Sequence, residues 1–369
     1  MKKIKTDILI VGAGLSGLMS AYCMSELNID ITLIDCFDFT NTKSSNNDFR
    51  TTAISEGSKQ FLDSIGIWKK IDRCSEPIKH IKVLDRSVSR SINFNNPKKK
   101  QNLGYIVKNS DIKKILLKEL NKRSNIKLYK NHKIFKISYS NFNICAQFKK
   151  LEVTSKLIIG ADGKNSTVRE LLNTPIYKKK YNQKAIVVNL EHNKNHFSTA
   201  FELFYKTGPL AILPMGKIKK DKFLSSLIWS HKADFIKSIS LVDKNILKDV
   251  LEETISSYIG EITQINSVQT FDLSAHINKR FYEKRVIYLG DAAHSIHPIA
   301  GQGWNIGIRD IKSLMEVLRV SLGLGLELGS NISCKEYNDK TFYDSFTLFQ
   351  ITDKLNNVFL NDGFLNNRF

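Results

Sequence analysis

Cysteine is scarce in this chain of 369 residues, and its spacing excludes the sites that cysteine usually builds. The cysteines are Cys23, Cys36, Cys74, Cys145 and Cys334. Their number is odd and no two of them have C-x-x-C spacing, so a disulfide framework is not expected. The sequence therefore predicts a protein of a reducing, cytoplasmic compartment, and its 42% of hydrophobic residues is enough for a substantial core.

Long apolar runs and nucleic-acid signatures are also missing. No run of about 18 apolar residues occurs, so no transmembrane helix is expected. The N-terminal lysines and the apolar segment after them imitate a signal peptide, but Asp7 interrupts the segment and we predict a strand and a helix instead. Helix-turn-helix, zinc-finger and RNA-recognition patterns are absent, so nucleic acid is not an expected partner.

The net charge of +20 has two interpretations. The lysines are scattered among asparagines and isoleucines, which indicates a general compositional bias rather than a binding patch. A basic surface is also compatible with an anionic membrane surface, and the charge by itself leaves both interpretations open.

A dinucleotide-binding pattern opens the chain. A short apolar strand leads into glycines spaced as G-x-G-x-x-G, a helical segment follows, and a second strand ends in an acid. In such a unit the glycines admit a pyrophosphate and pack the helix on the strand, and the acid holds a ribose hydroxyl. The candidate binding residues are Gly12, Gly14, Leu15, Ser16, Gly17 and Asp35. The pattern alone does not choose FAD over NAD.

A second turn follows a strand within residues 156–169, KLIIGADGKNSTVR. Asp162 and Gly163 form the predicted turn, and Ser166 and Arg169 begin a helix. Asp-Gly after a strand is also a common structural turn. The full spacing of the four residues favours a ligand site over an ordinary turn.

The third stretch, residues 286–310, is VIYLGDAAHSIHPIAGQGWNIGIRD. It predicts a buried strand, a loop and a helix, with Gly290 and Asp291 at the end of the strand, where open α/β sheets bind ligands. Pro298 stiffens the loop, and Gly301 and Gly303 let the backbone approach a flat or charged group. The helix directs its free N–H groups at that loop.

These three stretches together resemble the class A flavoprotein monooxygenases. The run HPIAGQGWNIGIRD resembles the pattern of the ubiquinone-biosynthesis hydroxylases within that group. The resemblance implies an α/β fold with a Rossmann-like FAD-binding domain of the p-hydroxybenzoate hydroxylase type, an inserted antiparallel-sheet substrate domain and C-terminal helices. The implied boundaries are 1–75, 100–178 and 275–325 for the FAD-binding domain, 76–99 and 179–274 for the substrate domain, and 326–369 for the C-terminal segment. Within the substrate domain, a helix is predicted over residues 241–259.

The resemblance also implies a reaction. It implies hydroxylation of the aromatic ring of a polyprenylated phenol in ubiquinone biosynthesis, with O2, NAD(P)H and a flavin 4a-hydroperoxide. FAD is the implied cofactor, and transient contact with the inner membrane surface and with other ubiquinone-biosynthesis proteins is expected. The chain carries one dinucleotide fingerprint, so NAD(P)H has no recognisable site of its own.

The site residues follow from the same resemblance. Arg50 is expected to compensate the pyrophosphate charge, although an exposed loop arginine is the plainer interpretation. The expected cofactor contacts in the second and third stretches are Asp162, Gly163, Arg169, Gly290, Asp291, Pro298, Gly301, Gln302, Gly303, Trp304 and Asn305. Pro298 and Gly301 would lie against the flavin ring, and His297 is a candidate for the base that deprotonates the phenol.

The same residues allow other interpretations. His294 and His297 with Asp291 would suit non-haem iron, but a proline and glycines occupy the loop, so no metal is expected. Flavin-dependent halogenases share the first fingerprint, but their W-x-W-x-I-P segment does not occur here. A non-catalytic flavin-binding subunit and a flavin-dependent prenyl reductase remain alternatives, because every motif named here binds a cofactor rather than a substrate.

Overall fold

The computed structural model describes residues 1–40, 48–86, 90–95, 101–219 and 221–362. The first strands are β1 (Lys2–Lys5), β2 (Ile8–Val11), β3 (Ile31–Ile34), β4 (Thr51–Ser55), β5 (Glu76–Ile78), β6 (His80–Asp85), β7 (Arg90–Asn95), β8 (Gly104–Lys108), β9 (Ile126–Tyr129), β10 (Ile134–Tyr139), β11 (Ile144–Phe148), β12 (Leu151–Ser155) and β13 (Leu157–Gly160). The later strands are β14 (Ile176–His192), β15 (Thr199–Tyr205), β16 (Gly208–Lys219), β17 (Lys222–Lys232), β18 (Ile262–Asn278), β19 (Tyr282–Glu283), β20 (Val286–Tyr288) and β21 (His294–Ser295).

The helices alternate with these strands along the first half of the chain. They are α1 (Leu15–Met24), α2 (Glu56–Ser64), α3 (Trp68–Ile71), α4 (Asn109–Leu120), α5 (Thr167–Leu171), α6 (Ala233–Leu241), α7 (Lys244–Ile259), α8 (Gly303–Gly323) and α9 (Asn331–Asp362). Helix α1 packs against α4 and α8, and α9 packs against α8.

A six-stranded sheet carries the three turns singled out in the sequence. Its order is β19-β20-β13-β2-β3-β9, and the pairings among β20, β13, β2, β3 and β9 are parallel. Strands β2, β13 and β20 are buried along their whole length, which explains their continuous apolar sequences. Because these three strands are neighbours and parallel, the turns at their carboxyl ends meet at one edge of the sheet.

An eight-stranded sheet forms the second layer, in the order β21-β18-β14-β17-β16-β15-β6-β7. Most of its pairings are antiparallel, and the long strands β14 and β18 pair along most of their length. Helices α6 and α7 cover one face of this sheet and bury a second apolar core around Leu203, Leu227 and Leu251. The other face packs on a separate three-stranded sheet of β4, β8 and β5, where Ala200 and Met215 pack with Ile78 and Ile106.

The predicted fold class is confirmed: a parallel dinucleotide-binding layer is joined to an inserted antiparallel sheet, and helices follow. The domain boundaries stay a prediction, with some differences in placement. Strands β14 and β18 extend the second sheet to residues 176 and 278, while β5 pairs with β8 in a separate three-stranded sheet with β4. The boundary between residues 99 and 100, and the end of the C-terminal segment, lie outside the described residues.

Candidate active site

The first glycine turn joins β2 to α1 and is held tightly against the second turn. Gly12 has a φ of +108°, and a Cβ placed on it would overlap the carbonyl oxygen of Ala161. A Cβ on Gly17 would overlap the carbonyl of Gly12 itself, so this glycine brings α1 close to the strand. Gly14 is different, because a Cβ placed there would have no heavy atom within 4 Å. The turn is therefore closed toward the protein at Gly12 and Gly17 and open at Gly14.

A cavity of about 260 Å³ lies in front of this turn. Gly12, Gly14, Asp35, Asp162 and Gly163 all line it. The Asp35 carboxylate accepts the Ala13 N–H at 2.6 Å and the Phe37 N–H at 2.8 Å, which fixes the acid at the cavity wall. Helix α1 begins here with no side-chain cap and no acid in its first turn, so its N–H groups remain available to an anion.

The second turn follows β13 and is stabilised by its own aspartate. One Asp162 carboxylate oxygen accepts the Val168 N–H at 3.0 Å, and the Ser166 hydroxyl caps Arg169. The other Asp162 oxygen is buried and has no hydrogen-bond partner among the described residues. Burial raises the pKa of Asp162, against the hydrogen bonds that lower it.

Arg169 points into the protein and ties the second turn to the third. Its Nη1 lies 2.9 Å from Nε2 of His276 and donates to the carbonyl of Ala292 at 3.1 Å, while Nη2 donates to the Lys164 carbonyl at 2.8 Å. Burial, followed by the Arg169 charge, lowers the pKa of His276 to about 3, so its ring is neutral and can accept from the guanidinium. Arg169 was expected at the cofactor; the described contacts give it the position of a support beneath the third turn.

The third turn, after β20, packs directly on the first. Gly290 has a φ of +58°, and a Cβ placed on it would lie 2.5 Å from the Ser16 hydroxyl oxygen. Asp291 is exposed by its accessible surface, although protein atoms surround its carboxylate closely. Burial raises the pKa of Asp291, while His294, Arg50 and Lys164 oppose that shift through their charges.

A buried ion pair lies beneath the third turn. His294 Nε2 is 2.6 Å from Oδ2 of Asp310, and the same oxygen accepts the Gly290 N–H at 3.3 Å. Burial lowers the pKa of His294, but the Asp310 carboxylate outweighs it and the net pKa is raised. His294 therefore holds the turn through Asp310.

The glycine loop, residues 298–303, is held on β4 by Asn305. The Asn305 amide accepts the Ser55 N–H at 2.9 Å and donates to the Ala53 carbonyl at 2.8 Å. Gly301 has a φ of +59°, and a Cβ on it would lie 3.4 Å from the Cβ of Ala53. Gln302 precedes α8 without a side-chain cap, and Gly303 is open, because a Cβ added there would meet nothing within 4 Å.

His297 and its neighbours line the other side of that loop. The His297 ring is buried, lies edge-on to Tyr181 with ring centroids 4.9 Å apart, and has no hydrogen-bond partner for either nitrogen within the described ranges. Burial lowers the pKa of His297 to about 4, so the ring is neutral near pH 7. Pro298 is exposed, and the indole N–H of half-buried Trp304 also has no described partner.

Arg50 is not among the residues that line the cavity at Gly14. Its guanidinium pairs with Asp48 at 2.8 and 2.9 Å and lies 5.4 Å from the Phe271 ring centroid, on the Asp291 side of the site. Burial would raise the pKa of Asp48, but Arg50 and Lys113 outweigh it and lower the pKa to about 2. The role of Arg50 at the pyrophosphate stays a prediction.

Sequence reasoning missed the residues that support the turns. His276 and Asp48 carry no local pattern, and His276 is 107 positions from its partner Arg169. Asp310 ends the third stretch, and its 16-residue spacing from His294 gave no sign of a buried pair. The sequence offered one weak signal, a histidine near the end of a predicted strand, as at His276.

Comparison with known proteins agrees with this geometry. The family described as FAD binding domain matches residues 5–323. A ubiquinone hydroxylase, UbiL, of Rhodospirillum rubrum is 30% identical over 96% of this chain and 82% of its own length. The 3-demethoxyubiquinol 3-hydroxylase of Escherichia coli is 26% identical over 93% of this chain and 87% of its own length.

The fold is also that of solved flavoproteins. The structure of PqsL, a probable FAD-dependent monooxygenase from Pseudomonas aeruginosa, matches with a TM-score of 0.80 at 16% identity, covering 97% of each chain. At this identity the match speaks for the fold alone.

The residues present fit FAD. Gly14 has free space in front of it and faces a cavity that Asp35 also lines. Helices α1 and α8 begin without side-chain caps. One buried oxygen of Asp162 has no hydrogen-bond partner among the described residues. These are the groups that a dinucleotide pyrophosphate, a ribose and an anionic ring require. With the match over residues 5–323, the chain belongs to the FAD-binding domain family of flavoprotein monooxygenases, and ubiquinone hydroxylases are among its relatives.

Proposed function

We propose that this protein is an FAD-dependent monooxygenase that hydroxylates the aromatic ring of a polyprenylated phenol in ubiquinone biosynthesis. In the overall reaction a ring C–H, O2, NAD(P)H and a proton give a ring C–OH, NAD(P)+ and water. The relatives named above support the pathway, because their names describe ubiquinone hydroxylases and a demethoxyubiquinol hydroxylase.

One observation carries the proposal: the turns after β2, β13 and β20 are in contact beside a half-exposed apolar sheet face. Gly12 meets Ala161, and Gly290 meets Ser16, so the three turns pack against one another, and the first two turns line one cavity. On the facing sheet Ala211, Leu213 and Ile228 are only partly covered. A partly covered apolar face beside a dinucleotide site suits an aromatic, prenylated substrate.

Each part of the chain has a proposed role at that site. Bound FAD supplies the activation of O2, and the protein supplies position, electrostatics and exclusion of water. Gly12, Gly14 and Asp35 would hold the ADP half, and Asp291 the ribityl chain. Pro298, Gly301 and the N-terminus of α8 would lie at the ring, where backbone N–H groups stabilise negative charge.

His297 stays a prediction as the base. Its neutral ring and its two unpartnered nitrogens in the described part of the chain are compatible with accepting a proton.

The chain is proposed to act at the inner surface of a membrane, from the cytoplasm. None of the helices in the described ranges combines the length and the apolar character needed to cross a membrane. The net charge of +20 would attract anionic lipid, and a prenylated substrate is itself delivered from a bilayer. Other proteins of ubiquinone biosynthesis stay predicted partners.

A direct experiment tests the function. The purified protein is expected to bind FAD, and a short-chain prenylphenol is expected to stimulate NAD(P)H oxidation with formation of a hydroxylated product. A wild type that is folded but cannot be reconstituted with FAD would end the proposal. FAD binding without turnover would favour a non-catalytic subunit. NAD(P)H oxidation without O2 that yields a prenyl chain with a reduced double bond would favour a prenyl reductase.

Asp291→Ala gives the matching variant. Loss of this carboxylate is expected to remove bound FAD while the protein stays folded, because a carboxyl group whose pKa is raised on folding destabilises the folded state near neutral pH. Absorbance of bound flavin and circular dichroism measure the two properties. Asp234→Ala, at an exposed position of α6, is the control and should keep its flavin.

A further inference from the structure

The face of the eight-stranded sheet that is directed at the FAD-binding layer can be assigned residue by residue. Asn189 on β14 donates from Nδ2 to the Phe49 carbonyl at 2.8 Å, so its side chain points toward the first layer. Directly paired residues on adjacent strands share a face. Asn189 pairs with Ser226 on β17 and with Ser267 on β18, so these two side chains also point toward that layer.

Ser267, Asn189 and Ser226 therefore form a polar row across three adjacent strands. The row is buried, with relative exposures of 7%, 7% and 0%. The Ser267 hydroxyl, the Asn189 Oδ1 and the Ser226 hydroxyl all lack a hydrogen-bond partner among the described residues. Single unpartnered hydroxyls occur elsewhere in the described chain, but three in register on neighbouring strands require an explanation, because buried polar atoms are normally paired.

The polar row lies next to the place where the glycine loop meets the sheet. A Cβ on Gly301 would lie 3.4 Å from the Cβ of Ala53, and Ala53, Leu213 and Leu224 all pack against the same apolar cluster of Ile78, Ile106, Ala200 and Met215. Leu213 on β16 pairs directly with Ser226. The row is thus the polar continuation of an apolar surface that begins beside Gly301.

We propose that the polar row binds a ring hydroxyl of the substrate and so orients the ring beside Gly301. The proposal rests on the proposed function, because it takes an aromatic substrate at this site as given. The surrounding face, with Ala211, Leu213 and Ile228, is apolar and suits the ring and the start of a prenyl chain.

Within the row, Asn189 is the member that selects a hydroxyl rather than any oxygen, because the two serine hydroxyls can donate as well as accept. Asn189 Nδ2 donates to a carbonyl, which assigns Oδ1 as the unpartnered atom. An amide oxygen only accepts hydrogen bonds, so it requires an O–H donor. A phenol satisfies it, whereas a quinone carbonyl or a methyl ether at the same ring position cannot, and a polar site rejects an analogue that leaves it unpaired.

The row and His297 cannot bind the same oxygen atom. His297 contacts Tyr181, which lies eight residues before Asn189 on β14, and eight strand residues span about 26 Å. One aromatic ring cannot bridge that distance, so a substrate hydroxyl bound at the row is out of reach of His297. For a phenol with one hydroxyl, the row and the His297 base are therefore alternatives, and the serine variants and His297→Phe separate them.

Binding of three ligands to the FAD-loaded protein tests the proposal. Geranylphenol, its methyl ether and geranylbenzene are titrated while the flavin absorbance or fluorescence is followed. The wild type is expected to bind geranylphenol about tenfold more tightly than the methyl ether. Ser226→Ala with Ser267→Ala is expected to weaken geranylphenol binding roughly tenfold and to leave geranylbenzene binding unchanged.

The serine variants separate a binding role from a structural one. Removing an unpartnered buried hydroxyl should not lower stability, so thermal unfolding and FAD content should stay at wild-type levels. Ser155→Ala is the matched control, because the Ser155 hydroxyl on β12 is also buried and unpartnered within the described ranges but lies far from the row in another sheet. It is expected to change none of the ligand affinities.

The outcomes are distinct. A wild type that binds and hydroxylates geranylphenol, with serine variants of unchanged affinity, overturns the polar row and leaves the proposed function intact. Equal weakening for geranylphenol and geranylbenzene also overturns it, because the change would then be one of packing. A flavin-loaded wild type that binds none of the three ligands overturns both the row and the proposed function.

Discussion

Gly12 and Gly14 are two positions apart and the structure gives them different tasks. Gly12 allows the turn to lie against the backbone of Ala161 at a φ of +108°, which an L side chain rarely adopts. Gly14 keeps space free in front of the turn, where a Cβ would meet no protein atom within 4 Å. One glycine therefore serves the fold and the other serves the ligand.

The pair predicts a separation of stability from cofactor affinity. Gly12→Ala is expected to lower the free energy of unfolding by about 3 kcal/mol or more, from backbone strain and overlap with Ala161. Gly14→Ala is expected to change it by less than about 0.5 kcal/mol, yet to weaken FAD binding about tenfold or more. Urea unfolding of the apoprotein and FAD titration measure the two quantities, and a Gly14→Ala protein with wild-type FAD affinity would contradict this assignment.

His297 gives a second prediction at the residue scale. His297→Phe removes both nitrogens and keeps a ring beside Tyr181, so the fold and FAD content should be kept. If the ring accepts a proton in the reaction, kcat is expected to fall by about a hundredfold or more. His231→Phe, at a half-buried histidine beside Trp229 and Phe235, is the control. An unchanged kcat in His297→Phe would show that His297 is not the base.

At the scale of elements, the start of α8 is held by one side chain. Asn305 connects the first turn of the helix to Ser55 and Ala53 on β4, so the glycine loop before it has a fixed position. The interaction joins segments 250 residues apart in the chain. These two hydrogen bonds therefore attach the first turn of α8 to β4.

This connection predicts a coupled loss. Asn305→Ala would leave the Ser55 N–H and the Ala53 carbonyl without partners, at a cost of about 2–4 kcal/mol in unfolding free energy, and FAD binding should weaken with it. Asn125→Ala is the control: it removes two similar hydrogen bonds, to the Ser25 and Ile29 carbonyls, away from the loop. It should lower stability but keep FAD affinity in the folded fraction. Equal FAD affinity in both variants would show that Asn305 does not position the loop.

At the scale of the whole molecule, several histidines are buried in the neutral form. Burial lowers the pKa of His192 and His297 to about 4 and that of His276 to about 3. A histidine in the unfolded chain titrates near 6.5, so between about pH 6.5 and 4 the unfolded state binds more protons. Stability contributed by these residues is therefore present above that range and lost as the pH falls through it.

Acid sensitivity follows from these three residues. Near pH 5, these three histidines together are expected to lower the free energy of unfolding by about 3–4 kcal/mol for each unit by which the pH falls. Asp162 and Asp291, whose pKa values are raised by burial, have the opposite effect, because they increase the free energy of unfolding as the pH falls. Urea unfolding at pH 5 and pH 7 tests the histidine part directly: His192→Gln should lose about 1 kcal/mol per pH unit of the wild-type slope. A variant with the wild-type slope would show that His192 is not buried neutral.

The sequence by itself determined the βαβ unit, the three turns and the character of the helices. Each depends on a local pattern: a buried apolar strand, a glycine at a position that tolerates no Cβ, or a helix that begins after a loop. The helix expected over residues 241–259 is wrong at its start, because a break at Val242 separates α6 from α7. The sequence did carry a signal for this break, because Asp243 caps α7 by accepting the Asn245 N–H and aspartate is a preferred N-cap residue.

Only the tertiary structure decided which side chains meet. The contact of Arg169 with His276, the position of Arg50 over the Phe271 ring, and the polar row of Ser267, Asn189 and Ser226 all depend on strand register and on how the sheets pack. Register between strands far apart in the chain is set by the packing of whole faces, and a shift of one residue would reverse every side chain. Local patterns determined where the cofactor turns begin, and long-range packing decided what faces them.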